Sequence, residues 1–384
     1  MKRYDEQGIR NKAIQEQALY WYKKGLISAE KLQEVNQAFP VDFYNPTIWV
    51  KIGLFIFTCI AASFALGLSS VFFMAIFDDT LGSGILSMVY AAIFYVVLRV
   101  VINSRKMYRS GPDQALLYGA VGWAVTSILL MMSHLILEDY TLPLIAIFPV
   151  FLLAIIQFAD RILTIIAVFL IFTIVQLIAF KFPIGKVILP FINLIVSAGL
   201  YGIKRKLFES DRFFYWEKCL TMLEILSLIL MYASVNYALV REGNALLNST
   251  TGQIPFAGVF YFFTATIPLA YCYAGLRYKN RILLVVGLLT LVASVVTFKL
   301  YFSIAPPEVT MIIAGVLMIG VAWRTIRYLT PPKHGFTYQE DKEALSMDAE
   351  ATFIAQTLGK TTPTGQGLQF GEGEFGGGGA GNDY

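Results

Sequence analysis

The residue with most capacity for chemistry is Glu224, a carboxylate within the apolar stretch CLTMLEILSLILMYASV, five residues past Cys219. Ionisable groups are costly in a membrane and mark function by default. One reading makes Glu224 a protonatable or cation-binding group, with the amides of Asn193 and Gln176, both in other apolar stretches, as neutral ligands. The other reading pairs it with Lys218 or with Arg99 and leaves it holding helices together. Asp160, His134 and Glu138 fall at the ends of apolar stretches, where they are expected to reach water or headgroups. The two histidines, His134 and His334, lie on separate segments with no metal-ligand spacing, and no nucleophile elbow or carboxylate cluster is present. Cys59, Cys219 and Cys272 are widely spaced and odd in number, which fits neither a disulfide framework nor a metal knuckle. The expectation is a non-enzymatic protein without cofactor or metal.

The elements that must position these groups are membrane helices. Hydrophobic residues make up 57% of the 384 residues against 15% charged, and mean hydropathy is +0.63, a balance foreign to soluble domains. A helix needs about 20 apolar residues to cross a bilayer. Ten stretches qualify, near 48–76, 82–102, 115–137, 142–158, 162–180, 187–203, 219–240, 254–276, 282–302 and 309–329. Only Asp160 and Arg161 divide the fourth from the fifth, but 142–180 is far longer than one span requires. The expected fold is all-α: a polytopic transmembrane bundle of about ten spans at 48–329, a helical arm at 1–47, and a tail at 330–384.

Charge distribution orients it. With the N-terminus inside, every Lys and Arg falls on the cytoplasmic side except Lys181, Lys186, Arg241 and Lys299, and the turns DDTLGSG and EDYT carry none. Losing one span would invert every later loop and destroy this asymmetry. Both ends are therefore expected in the cytoplasm. The first 47 residues hold no signal-peptide core, so the first span is expected to be an uncleaved anchor. The basic loops follow from topology and anionic lipid, without nucleic acid.

The arm reads as two helices. Ile14, Ala18 and Trp21 or Tyr22 recur at helical spacing, Gly25 ends the first, and Ser28 caps a second carrying Leu32, Val35 and Phe39. It serves either as a docking element or as a hairpin folded against the protein's own loops. Trp21 to Ser28, WYKKGLIS, followed by a charged stretch and then apolar spans, resembles the N-terminal segment of an uncharacterised family of predicted bacterial multi-pass membrane proteins, which share a tryptophan, three residues, then Gly-Leu-Ile. The resemblance covers about the first 75 residues and implies a bacterial inner membrane but no activity.

Pro331 and Pro332 stop the last span, one amphipathic helix is possible through Leu345 and Phe353, and the remainder is expected to be disordered. Gly371, Gly373 and Gly376 match a dinucleotide fingerprint only by glycine spacing, without the strand and helix it needs, and GKTT at Gly359 lacks the first glycine of a phosphate loop. The closing GEGEFGGGGAGNDY resembles the glycine-rich, aromatic-ended tails of TPM-domain membrane proteins, although no TPM domain is present. An extended glycine strand can thread a groove while Phe370, Phe375 and Tyr384 fill pockets, so these three are the candidate contacts for a protein partner. A solvated end without function is the alternative.

AASFALG in the first span pairs Ala61 with Ala65 and Ser63 with Gly67, spacing that lets helices approach closely. Pro190 with Asn193 is the best candidate for a broken helix at a substrate site. Two functions remain: a scaffold or assembly component binding partners through its cytoplasmic ends, or a secondary transporter or channel using Glu224. A polar cavity reached by Glu224 would favour the second.

Overall fold

The computed structural model describes residues 2–301 apart from 45, 74–78, 137–138, 209–210 and 249–253, together with scattered residues between 312 and 330. The tenth expected span falls mostly outside the described residues, and the tail with Phe370, Phe375 and Tyr384 lies wholly outside them.

The protein is a multi-pass membrane protein. Among the described residues, nine helices are long and apolar enough to cross a bilayer, and these match the first nine expected spans. They are α3 (Ile48–Phe73), α4 (Thr80–Arg105), α5 (Pro112–Met131), α7 (Thr141–Phe158), α8 (Arg161–Phe180), α9 (Gly185–Phe208), α10 (Glu217–Val235), α12 (Ala257–Arg277) and α13 (Arg281–Tyr301). The short helices α6 (Ser133–Ile136) and α11 (Tyr237–Asn248) connect them, and the arm forms α1 (Glu6–Lys23) and α2 (Ala29–Ala38). Two groups of helices carry separate cores. Leu98, Leu117, Ile147, Phe151 and Leu163 pack between α4, α5, α7 and α8, while Leu228, Tyr232, Tyr271, Leu283 and Val286 pack between α10, α12 and α13, with a third, smaller cluster of Val235, Tyr237, Ile254 and Phe260 in the same group of helices. Helix α10 touches α8 and joins the groups.

In hydrocarbon, each helix end must find partners for the amides and carbonyls the helix no longer pairs. The boundary between the fourth and fifth spans shows how. Ala159 takes a left-handed φ of 50° and closes α7, and the Asp160 carboxylate accepts from the amides of Ile162 (2.9 Å) and Leu163 (3.0 Å) to cap α8. The Tyr118 hydroxyl donates to the same carboxylate at 3.1 Å. Asp160 was expected to reach water; it is 5% exposed instead, because the cap and the phenol replace hydration.

Elsewhere glycine sets helix spacing. A Cβ on Gly275 would meet the Leu284 backbone at 2.7 Å, and one on Gly287 would meet the Cys272 amide at 2.9 Å, so α12 and α13 cross at backbone contact. Helix α3 is the opposite case: it leans on α5 and buries none of its residues.

Asp160→Ala should remove the α8 cap and orphan Tyr118, lowering stability by about 1–2 kcal/mol. Thermal unfolding in detergent measures this, and Asp160→Asn, which retains a cap acceptor, should lose less.

Candidate functional site

Glu224 is 2% exposed on α10, one turn from the buried Leu220 and Leu228. Its Oε2 lies 2.5 Å from Nζ of Lys204 on α9, itself 8% exposed. Asn280 donates its Nδ2 to Oε1 at 2.9 Å, while its own Oδ1 accepts from the amides of Ile282 (2.9 Å) and Leu283 (3.2 Å), capping α13. One carboxylate thus ties α9, α10 and the start of α13. The pairing reading anticipated Lys218 or Arg99; the structure supplies Lys204 instead.

Asn193 lies eleven residues before Lys204 on the same helix, about 16 Å away along the axis at 1.5 Å per residue. The expected grouping of Glu224 with Asn193 is corrected by that distance. Gln176 is half-buried on α8 and does not line the cavity that Asn193 lines.

That cavity has a volume of about 150 Å³ and lies between α9, α10, α11 and the start of α12, with Lys186, Pro190, Asn193, Ser234 and Asn244 among its walls. Oδ1 of Asn193 is buried there without a hydrogen-bond partner. Beside it the seventh expected span, read from sequence as continuous over 219–240, breaks. Asn236 is extended (φ −69°, ψ 124°) and separates α10 from α11. The break is saturated. Asn236 donates its Nδ2 to the Tyr232 hydroxyl (2.8 Å) and to Thr297 (3.0 Å), its Oδ1 accepts from the Leu239 amide (3.2 Å), and Thr264 Oγ1 accepts from the Tyr237 amide (2.9 Å). The break was sought at Pro190, which instead sits inside the continuous α9.

The third polar centre lies where the arm meets the bundle. Asp113, in the first turn of α5, is fully buried and accepts from the amides of Arg109 (2.7 Å), Ser110 (2.9 Å) and Gly111 (3.1 Å). Gly111 can make this turn because its φ is 112° and a Cβ there would strike the Lys51 carbonyl at 2.4 Å. The Tyr4 hydroxyl donates to Asp113 at 2.8 Å. Burial, and then the neighbouring Asp113 charge, push the Tyr4 phenol well above its usual range, which keeps it a donor. Arg3 reaches between helices, donating its backbone amide to the Gln157 carbonyl (3.0 Å), its Nε to Gln157 Oε1 (3.2 Å) and its Nη2 to the Tyr95 hydroxyl (2.6 Å). From there α1 buries Gly8, Asn11 and Ala18, Gly25 turns the chain at φ 69°, and Ser28 caps α2.

Sequence reasoning singled out Glu224 as an ionisable group within an apolar stretch, at a depth that permits snorkelling, where the structure buries it; it missed Lys204, Asn280, Asn236, Asp113 and the Tyr4–Arg3 insertion. Lys204 was counted with the flanking loop charges, and nothing local marks a long-range partner. The motif Ser-Gly-Pro-Asp at Ser110 to Asp113 was the one readable signal: an Asp just after Pro at a helix start is placed to accept backbone amides.

No protein family, curated protein or solved structure matches the chain.

Tyr4→Phe keeps the ring packing but leaves the buried Asp113 one donor short, a loss of about 1.5–3 kcal/mol for a bond to a charged group. Limited proteolysis should cut the variant's arm faster than the wild type's, with the bundle left intact.

Proposed function

We propose that the protein is a non-enzymatic scaffold of the bacterial inner membrane, with both ends in the cytoplasm, that assembles partners on the face carrying its arm. The observation that carries this reading is the engagement of Glu224: the carboxylate that ion-coupled transport would use is held between Lys204 and Asn280, and breaking such a pair strands a buried charge. The arm supports it. Tyr4 and Arg3 anchor it to the bundle, while the hairpin turns outward the apolar Trp21 (44% exposed) and Leu26 (69% exposed). Helix α3 adds a lateral surface, with Ala61, Ala65, Ser63 and Gly67 all exposed along it. The asymmetry of Lys and Arg supports the orientation. The glycine-rich tail, with Phe370, Phe375 and Tyr384, extends the proposed contact from the other end of the chain.

The second reading, a secondary transporter or channel, is favoured by one observation: the helix break at Asn236 adjoins a cavity holding an unpartnered amide oxygen, and broken helices in membranes commonly line substrate sites. It would place the substrate contact at Asn193 and Asn244, away from Glu224.

Purification in mild detergent separates the readings. A chain lacking Gly371 to Tyr384, and a Trp21→Ser/Leu26→Ser variant, should each melt like the wild type and lose stoichiometric partners that the wild type retains. Full retention of the same partners by both variants would reject the scaffold.

A further inference from the structure

Cations converge on two adjacent carbonyls where α8 and α10 begin. Arg109 Nη2 donates to the Ala159 carbonyl at 2.7 Å, and Cys219 Sγ donates to the Asp160 carbonyl at 3.4 Å. Arg161 follows Asp160 and Lys218 precedes Cys219, so both are anchored beside the same two carbonyls. Among the described residues, Arg109, Arg161 and Lys218 make no ion pair.

The arm adds another cation. Lys12 on α1 places its Nζ 5.5 Å from the centre of the Tyr108 ring, and the Arg109 guanidinium lies at the same distance. Burial lowers the Lys12 ammonium below its usual range; Glu16 opposes this, and Lys51, Lys218 and Arg109 add to it. The charges acting on Lys218 are Glu16, Arg109, Arg161 and Glu217, so its side chain faces the seam between arm and bundle. Of the nearby carboxylates, Asp113 and Asp160 are buried and accept from backbone amides and from the Tyr4 and Tyr118 hydroxyls. Only the exposed Glu16 and Glu217 then remain to face Lys12, Lys51, Arg109, Arg161 and Lys218.

Tyr108 lies at the centre of this group. It is 6% exposed, with its ring stacked on Phe43 at 5.1 Å and edge-on to Tyr4 at 5.0 Å. A phenol so deeply buried normally finds a partner, yet its hydroxyl bonds no described group. Asn193 Oδ1 is the one fully enclosed unpartnered side-chain atom among the described residues, so the Tyr108 hydroxyl still opens outward. Burial raises the phenol above its usual range, with Arg109, Glu16 and Arg161 acting on it, and it stays a donor. Topology explains why basic residues lie on this face. It does not explain why three of them meet without an ion pair beside an unpartnered phenol.

We propose that this cluster is a binding site for a phosphate group, held by Lys12, Arg109, Arg161 and Lys218, with the Tyr108 hydroxyl donating to one of its oxygens. The groups left unspent here are all donors, and a phosphate supplies acceptor oxygens on several sides together with the negative charge that the cluster lacks. The phosphate belongs either to a soluble compound or to a phospholipid headgroup, which present the same oxygens. Lys12 comes from the arm and the other cations from the bundle, so the bound anion joins the two. This site does not depend on the scaffold reading.

The test uses the full chain, delipidated in a neutral detergent at low ionic strength, where screening is weak. The probes are inorganic phosphate, phosphatidic acid, and sodium chloride at matched ionic strength. Melting temperature and the rate at which protease cuts the arm are the readouts, each variant being compared with its own ligand-free state. A phosphate probe should raise the melting temperature and slow cleavage of the arm beyond the effect of chloride. A response to inorganic phosphate assigns a soluble ligand, and a response to phosphatidic acid alone assigns a headgroup. Arg161→Gln/Lys218→Gln should weaken binding about tenfold or more, and Tyr108→Phe, which keeps the ring stacking, about tenfold. Lys23→Gln/Lys24→Gln, further along α1, should bind as the wild type does. No response beyond chloride, or equal loss in the Lys23→Gln/Lys24→Gln variant, would overturn the site. Unchanged binding by Tyr108→Phe would overturn the role of the phenol.

Discussion

A charge moved from water into a bundle of apolar helices must bring its partner with it, because the low dielectric that makes an unmatched ion so costly also makes a matched pair tight. Lys204 and Glu224 meet that condition across α9 and α10, and Asn280 completes it by satisfying the second carboxylate oxygen while capping α13. Three helices are fixed in rotation and height by one group. Without Lys204, α10 would hold a buried carboxylate with Asn280 as its remaining side-chain partner among the described residues, and the charge would stand unbalanced.

The same constraint governs the polar backbone wherever a helix stops. At Asp160 a carboxylate replaces water for the first amides of α8. At Asn236 a side-chain amide and two threonines replace it. At Asp113 three consecutive amides converge on one carboxylate, and Tyr4 from the arm supplies the remaining donor. These centres differ in consequence. The first two complete the bundle, whereas the third recruits the N-terminus, so the structural solution for the start of α5 is also the anchor that holds the arm to its face.

Much of the architecture was legible because hydropathy and length are summed over many residues. Nine spans follow from runs too long and too apolar for anything else, and the turn at Gly25 and the cap at Ser28 follow from local chemistry. Asp160 between two runs was also readable as a boundary, though not as a buried one. The polar centres were less legible because their members are distant in sequence: Tyr4 with Asp113, Lys204 with Glu224, Asn236 with Thr297. Lys204 reads as a loop charge until α9 is seen to continue past it. Asn236 reads as one polar residue within an apolar run, and only Thr264 and Thr297, on two later helices, make a break there affordable.

Glu224 is held as the structural partner of Lys204. A double-mutant cycle in the full chain tests this directly, with Glu224→Gln, Lys204→Met and the double variant compared by unfolding in detergent. Each single change should cost about 3–5 kcal/mol and the double variant much less than their sum, because it strands no charge. Additive costs, or a Glu224→Gln protein as stable as the wild type, would contradict it and return the carboxylate to the transport reading.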